Sequence, residues 1–569
     1  MTFRSLAGAI ALGCAGLLAT PLHAATGSFS TLTYNVAETP TAYNGGSDAH
    51  SRLISCYLRE FGIVNVQEDF LWHAALYDTC DDHPYRTPTS GTAGIGDGLN
   101  TLSRTWFDDL DRVTWNKRAD SDALTPKGFS LVRTRLAEGV YLDFYNLHAQ
   151  SGTSSTDLAY SESDVVQILS YIEANSAGNA VMVMGDTNTR YTRAGQNMWD
   201  FLRHGFSDAW IETIRGGSVP PIGDALICGD TQTARPDCEI VDKVLWRNNG
   251  FLNLQASSYV DRQDALDATG AQLSDHHPIE VNWSFTTAAN RRLSDQFGGP
   301  HGTSYNDVAA LPADPSVSKL SIRTGSRVDQ VELTLSNGTV YSHGGSGGTA
   351  QSLTLGAGEV LTSVSLCSDQ YQGHTRIFRI AFGTSAGRTL SGGTSTSSCT
   401  SYTAPNGWQI AGFHGRSGDG IDKLGVVYTP VSTAAASRQP FRIVNRTSAL
   451  CMDVNGGTMA DGAAVIQWYC TGAANQTWSY DDASGMIRSM QDPHYCLDNN
   501  GTYGDGAQLI IWTCTGNNNQ RFRYDAAAGT IAVRSYPSEV VSQNGTSVGN
   551  QLLTSTASAA GSQLWTLAP

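Results

Sequence analysis

Charge is scarce in this 569-residue chain. Asp, Glu, Lys and Arg together make up 15% of it, too little for an array of long solvated helices. Bases are the scarcer sign, 36 against 52 acids, for a formal net charge of −16. Residues 26–290 hold 34 of those acids and 18 of the bases, so the whole excess sits there. A domain this acidic does not hold a polyanion by simple attraction; a phosphate ester bound there needs cations in between. No CxxC pair occurs among the 11 cysteines, which argues against a thiolate zinc site. Past the N-terminal stretch, no apolar run approaches the ~20 residues of a membrane-spanning helix. Glycine is plentiful, at 59 residues, and the balance favours turn-rich β structure.

Arg4, the apolar residues 6–19 and Pro21-Leu22-His23-Ala24 read as an export signal, residues 1–24, cut after Ala24. Leu12-Gly13-Cys14 weakly resembles a lipoprotein box, but Ala11 stands where leucine is preferred, so lipid anchoring at Cys14 is the lesser alternative. The other ten cysteines are an even number in an exported chain and fall in sequence-local pairs. Five disulfides are expected: Cys56–Cys80, Cys228–Cys238, Cys367–Cys399, Cys451–Cys470 and Cys496–Cys514. The expected product is a secreted, extracellular monomer.

Three compositional regimes follow. Residues 28–285 mix apolar strand-like runs with helical segments, residues 294–430 are rich in Gly, Ser and Thr, and residues 438–569 repeat internally. Residues 286–290 and 431–437 read as linkers. In the last regime Cys451 and Cys496 each lead, after one apolar residue, into Asp453 and Asp498. Trp468 and Trp512, and Asn475-Gln476 and Asn519-Gln520, recur at the same offset, and an eroded third copy ends at Gln563-Leu564-Trp565. Three such units imply a threefold β structure.

In the first regime, apolar runs end in short polar clusters: Asn35, Gln67-Glu68, Asn146-Leu147-His148 and Asp186-Thr187-Asn188. Asp242 lies within another run, and Ser274-Asp275-His276-His277 precedes a further one. Strand ends converge on one edge of a sheet, where loops form sites. Acid and amide oxygens suit a hard cation such as Mg²⁺, and histidine serves as a proton carrier or a donor to phosphate. Hydrolysis of a phosphoester needs those parts.

This ordered set resembles the endonuclease/exonuclease/phosphatase superfamily over residues 28–285. The resemblance implies an α/β four-layer sandwich of the deoxyribonuclease I type, a phosphoester substrate (nucleic acid or phospholipid), and Mg²⁺, Mn²⁺ or Ca²⁺. It places the metal at Glu68, with Asn35 and Asp275 nearby. Catalysis falls to His148, Asp186, Asn188, Asp242 and His276, with Asp275 orienting the His276 ring. Asp242 stands in VDKV where the family has an IDYI-like strand. Lys127-Gly128-Phe129 and the strand after it resemble the secreted, sphingomyelinase-like side of the superfamily.

Phe297-Gly298-Gly299-Pro300, the glycine run 343–348 and Gly412-Phe413-His414-Gly415, leading into Gly418-x-x-x-Asp422, resemble the jacalin-like lectins. That implies an all-β prism whose sugar pocket uses Gly299, Gly418 and Asp422. Residues 438–569 resemble ricin-type lectins, an all-β trefoil. There the resemblance implies sugar sites at Asp453, Trp468 and Asn475, and at Asp498, Trp512 and Asn519, with a silent third unit. Together these readings imply a metal-dependent phosphodiesterase carried to glycans by two lectin modules. The alternative is an inactive adhesin that keeps the first domain as a scaffold.

Overall fold

The structure is a computed structural model that describes residues 24–39, 46–91, 96–223, 226, 237–356, 358–431, 441–481, 484–501, 504–525 and 528–568. The expected signal, residues 1–24 with Cys14, lies outside them except for Ala24.

Strands of the first domain, in chain order, are β1 (Thr26–Asn35), β2 (Ile63–Gln67), β3 (Tyr85–Arg86), β4 (Asn100–Ser103), β5 (Phe107–Thr114) and β6 (Gly128–Ala137). They continue as β7 (Val140–His148), β8 (Ala180–Asp186), β9 (Ser207–Asp208), β10 (Asp242–Arg247), β11 (Leu252–Asp261) and β12 (Ile279–Thr287). One six-stranded sheet runs β11-β12-β1-β2-β4-β3 and the other β5-β6-β7-β8-β10-β9. The central strand β8 is buried at every position, so it reads as a continuous apolar run rather than an alternating one. The helix Ser155–Asn175 packs Val165, Ile168, Leu169 and Ile172 into the same core. It starts where it does because Ser154 and Asp157 form a capping box.

Pairing brings the polar strand ends together. β7 and β8 are parallel with His148 opposite Asp186, and antiparallel β10 puts Asp242 opposite Asp186. In the facing sheet, parallel β1 and β2 set Asn35 opposite Gln67, with Glu68 next in the chain.

The second domain comprises β13 (Arg292–Leu293), β14 (Phe297–Gly298), β15 (Thr303–Asn306), β16 (Val317–Thr324), β17 (Val328–Leu335), β18 (Val340–Gly344) and β19 (Thr349–Thr354). It is completed by β20 (Leu361–Tyr371), β21 (His374–Thr384), β22 (Thr389–Gly393), β23 (Ser398–Thr403), β24 (Trp408–Ser417) and β25 (Ile421–Pro430). Three sheets, β13-β25-β24-β15 with β14, β18-β17-β16-β19 and β22-β21-β20-β23, enclose one apolar core.

The expected linker at 286–290 is instead a packed joint. Thr286 and Thr287 belong to β12, the Thr287 Oγ1 accepts from the Ala25 amide at 2.8 Å, and Ala288 bonds Phe251. Leu293, Val308, Leu311 and Val427 of the prism join the hydrophobic core of the sandwich. Small polar residues read as a flexible joint, but here Thr286 and Thr287 continue a strand and a short turn follows. From residue 432 to 437 the second expected linker lies outside the described residues.

The last domain has its own core around Trp478, Trp565, Ile443, Leu497 and Ile531. Register aligns its three units: Cys451 pairs with Trp468, Cys496 with Trp512 and Val540 with Ser555. In each unit a buried glutamine braces a loop by accepting a backbone N–H at 2.8 Å, Gln476 from Thr471, Gln520 from Thr515 and Gln563 from Ser558.

Disulfides join Cys56–Cys80, Cys367–Cys399, Cys451–Cys470 and Cys496–Cys514. Cys238 is disulfide-bonded too, and its expected partner Cys228 lies outside the described residues.

Candidate active site

His276, Asp186, Asp242, His148, Glu68 and Asn35 meet where the two sheets end. His276 Nδ1 bonds Asp242 Oδ2 at 2.8 Å, and its Nε2 stands 3.8 Å from Asp186 Oδ2. His148 Nε2 lies 3.4 Å from Asp186 Oδ2 and 3.7 Å from Glu68 Oε1. Asn35 Nδ2 donates to Asp186 Oδ2 at 3.2 Å, as does Asn188 Nδ2. Asp186 Oδ1 accepts from the Asn188 amide at 3.0 Å.

Local backbone serves this cluster. Glu68 and Asn188 both adopt left-handed φ, 60° and 49°, a conformation that costs non-glycine residues energy and tends to mark sites. The glycine before Asp186 is required. A Cβ on Gly185 would stand 2.0 Å from the Leu147 carbonyl oxygen of the neighbouring strand.

The hydrogen-bond partner of His276 is Asp242 rather than the expected Asp275, whose charge still favours the imidazolium. Ser274 Oγ donates to the Asn35 carbonyl at 2.7 Å and accepts from the His276 amide at 3.2 Å. That turn sends the imidazole inward to Asp242 and leaves Asp275 exposed, with Ser274 Oγ at 3.4 Å. Asn35 also differs from a simple metal ligand. Its Oδ1 accepts from the Ala37 amide at 3.0 Å, while its amide nitrogen donates to Asp186.

Lys127 joins this cluster although its own segment carries no polar strand-end pattern. It is buried at the start of β6, 2.9 Å from His148 Nε2 and 2.5 Å from Asp122 Oδ1. Nothing local to Lys127 shows that the start of β6 lies beside the end of β7.

The charges follow from this packing. Burial opposes the His276 imidazolium, but Asp242 and Asp186 outweigh it and lift its pKa well above the ordinary value. His148 goes the other way, driven well down by burial, Lys127 and His276. Burial pushes the Asp186 carboxyl up to about 6, against the pull of His276. Burial also raises Glu68, and Lys127 offsets part of that.

Three buried atoms here have no hydrogen-bond partner: Glu68 Oε2, His148 Nδ1 and Asp242 Oδ1. Buried polar atoms are rarely left so, and the exceptions concentrate at sites. Among the described residues no three His, Cys, Asp or Glu side chains form a chelating group. One orphaned carboxylate oxygen with an exposed second acid still fits Mg²⁺, which keeps several of its waters.

Family models match in order: Endonuclease/Exonuclease/phosphatase family 2 over residues 51–216, the jacalin-like lectin domain over 294–427 and the ricin-type beta-trefoil lectin domain over 439–565. Three successive regions of the chain thus match one endonuclease/exonuclease/phosphatase model and two lectin-domain models, in that order. Sphingomyelinases of Mycobacterium bovis and Mycobacterium tuberculosis are 34% identical to it over 278 residues, 47% of this chain and 54% of theirs. The chain thus spans about half the length of these curated relatives. Sphingomyelinase C from Streptomyces griseocarneus is similar over 45% of this chain and 99% of its own, at 21% identity and a TM-score of 0.32. A mannose-binding jacalin-related lectin from Ananas comosus covers 25% of this chain and 98% of its own, at 21% identity and a TM-score of 0.22.

In the trefoil, Asn475 Nδ2 and Gln476 Nε2 donate to Asp453 at 2.9 and 2.7 Å, and Asn519 and Gln520 donate to Asp498 at 2.8 and 3.0 Å. Trp468 and Trp512 are 41% and 42% exposed, free to stack on a sugar face. In the third unit register puts Ser542 and Ser555 where the others have aspartate and tryptophan. The prism departs from expectation. Gly299 and Gly418 spend their amides on Asp422 O and Gly420 O, and Asp422 Oδ1 accepts from Arg376 at 2.5 Å.

Proposed function

We propose that the first domain is a divalent-metal-dependent phosphodiesterase, exported from the cell and held at glycan-bearing surfaces by the lectin-type domains. The observation that carries this reading is the row Asp242–His276–Asp186 set beside Glu68. It provides a proton donor, a proton acceptor and an unspent oxygen ligand at one sheet edge. Glu68 and Asp275, with water, would hold Mg²⁺, Mn²⁺ or Ca²⁺. Such an ion supplies positive charge at the nonbridging phosphate oxygens. His276, kept protonated by its two acids, gives its Nε2 proton to the departing ester oxygen as that P–O bond breaks. Asp186 takes the proton of the attacking water, and Asn35 and Asn188 fix its carboxylate. Lys127 adds a positive charge to an otherwise acidic site.

The names of the mycobacterial relatives support a choline phospholipid diester as the first substrate to test, with nucleic acid second. The purified chain is stripped with EDTA and assayed on sphingomyelin, phosphatidylcholine, plasmid DNA, RNA and inositol phosphates. Turnover of one class that returns only with added divalent cation is expected. No turnover of any member under any of the three ions would leave the adhesin reading in its place.

A further inference from the structure

The β8–β10 ladder stops at the pair Asp186–Asp242, and the chain that leaves β8 has no regular secondary structure over residues 187–190. It is nevertheless held at every step. Thr187 gives its amide and its Oγ1 to the Val241 carbonyl at 3.1 and 2.6 Å. The amides that follow all go to side-chain oxygens. Asn188 donates to Asp186 at 3.0 Å, Thr189 to Thr187 at 3.3 Å and Arg190 to Gln196 at 2.8 Å. Tyr191 and Thr192 donate to the two oxygens of Glu239, at 2.6 and 3.2 Å.

Glu239 reaches both sides of this junction. It precedes Asp242 by three residues and is 1% exposed. Its Oε2 also accepts from Thr192 Oγ1 at 2.7 Å, and its Oε1 from Lys243 Nζ at 3.1 Å. Its main-chain carbonyl accepts from Arg190 Nη1 at 2.6 Å. Lys243, the residue after Asp242, is buried against the rings of Tyr191 and Trp210, 5.0 and 5.4 Å from their centroids. Burial opposes the Glu239 carboxylate, but Lys243 and the donors of Thr192 and Tyr191 outweigh it and hold its pKa below the ordinary value.

A buried ion pair is a poor way to gain stability, because a matched apolar pair often replaces it at no loss. What this one supplies is a fixed distance. An ionised carboxylate only accepts, so its two oxygens hold the Tyr191 amide, both Thr192 donors and Lys243 together. The strand end that carries Asp186 is thereby tied to the strand start that carries Asp242. His276 sits on those same two acids, 2.8 Å from Asp242 and 3.8 Å from Asp186.

We propose that Glu239 is a positioning residue for the candidate active site: its carboxylate fixes the spacing of Asp186 and Asp242, and with it the seat of the His276 ring and of Asn188. This rests on the phosphodiesterase reading of the first domain. Glu239 meets no substrate atom in this scheme. It acts through the groups it aligns, and a displacement of ~1 Å in such groups costs on the order of 10²-fold in rate.

The full chain is assayed with Mg²⁺ on bis(4-nitrophenyl) phosphate, a soluble diester that needs neither glycan nor membrane. In Glu239→Gln the new amide sets N–H groups against the donors on one side, and Lys243 loses its counter-ion. The melting temperature should fall, and kcat per folded molecule should drop roughly 10- to 100-fold with KM within about twofold of the parent. Glu239→Gln combined with Lys243→Met removes the stranded charge and lays an apolar chain against the two rings. The double variant should regain the melting temperature but not kcat, and it carries the test by itself where the single variant does not fold. Parent-level kcat in the folded single variant, or kcat that returns with the melting temperature in the double, overturns the proposal while the phosphodiesterase reading stands. A parent chain that turns over no phosphodiester with any divalent ion overturns both.

Discussion

At the joint with the prism, the sandwich satisfies nearly every charge it buries. Arg133, 1% exposed, gives Nε and Nη2 to the two oxygens of Asp143 at 2.7 and 2.9 Å, Nη2 also to Ser304 at 2.8 Å, and Nη1 to Asp109 at 3.3 Å. Asp109 in turn receives Lys423 at 2.6 Å and Arg416 at 3.4 Å from the prism. Asp295 of the prism takes Arg135 bidentately and the Gly139 amide. At the candidate site, where β7 ends beside β2 and β10, Glu68, His148 and Asp242 each keep an unpartnered buried atom. Register sets the two ends apart: Arg133 faces Asp143 on β7, five residues before His148, or about 17 Å along a strand. A saturated network holds a shape, whereas unspent valences in a rigid frame remain for a ligand. The prism therefore docks where it cannot cover the site.

The largest effect expected from this contrast is at the candidate site. His276→Ala and Asp186→Ala should each cost ~10²–10⁴ in turnover of a soluble phosphodiester, with the melting temperature within a few degrees of the parent. Wild-type turnover in both would show that the unsatisfied end is not the active site.

Next comes the joint. Asp109→Ala strands Arg133, Lys423 and Arg416 without their shared acid, and removing one partner of a buried ionic network costs about 3–5 kcal/mol. Urea unfolding should record that loss, while turnover per folded molecule stays near the parent's. A fall in turnover with unchanged stability would erase the distinction between the two ends.

Glu68→Gln should act more mildly, as a loss of cation affinity, so that part of the lost turnover returns at high Mg²⁺. An equal loss at all Mg²⁺ concentrations would assign Glu68 to the chemical step instead.

The smallest effect is in pH. His414 sits in the joint, bonded to Ser294 O at 3.0 Å and Gln296 at 2.9 Å, and burial followed by Arg133 pushes its pKa down to about 3. An unfolded imidazole titrates near ~6.5, so between these values the unfolded chain binds the extra proton. Its contribution is complete above about pH 6.5 and declines as pH falls toward 3. The melting temperature should drop over that window, and less steeply in His414→Gln. Identical slopes would remove His414 from the joint's acid response.

Local patterns carried much of this protein. Strand-end clusters marked Glu68, His148, Asp186 and His276 because a strand's polar terminus is written in adjacent residues. The recurrence of Cys-x-Asp, tryptophan and Asn-Gln disclosed the trefoil because each unit folds on itself. Near-neighbour cysteines paired as their spacing implied for the same reason. Tertiary structure alone decided which acid serves His276. Asp275 is adjacent in the chain, but Asp242, 34 residues away, lies across the sandwich at 2.8 Å. It also decided that Lys127 reaches His148, that Arg376 occupies Asp422, and that Thr286 and Thr287 extend β12 into a packed joint rather than begin a tether. Each of these depends on which strand lies beside which, and a side chain's partner across a sheet leaves no trace in the spacing of its own segment.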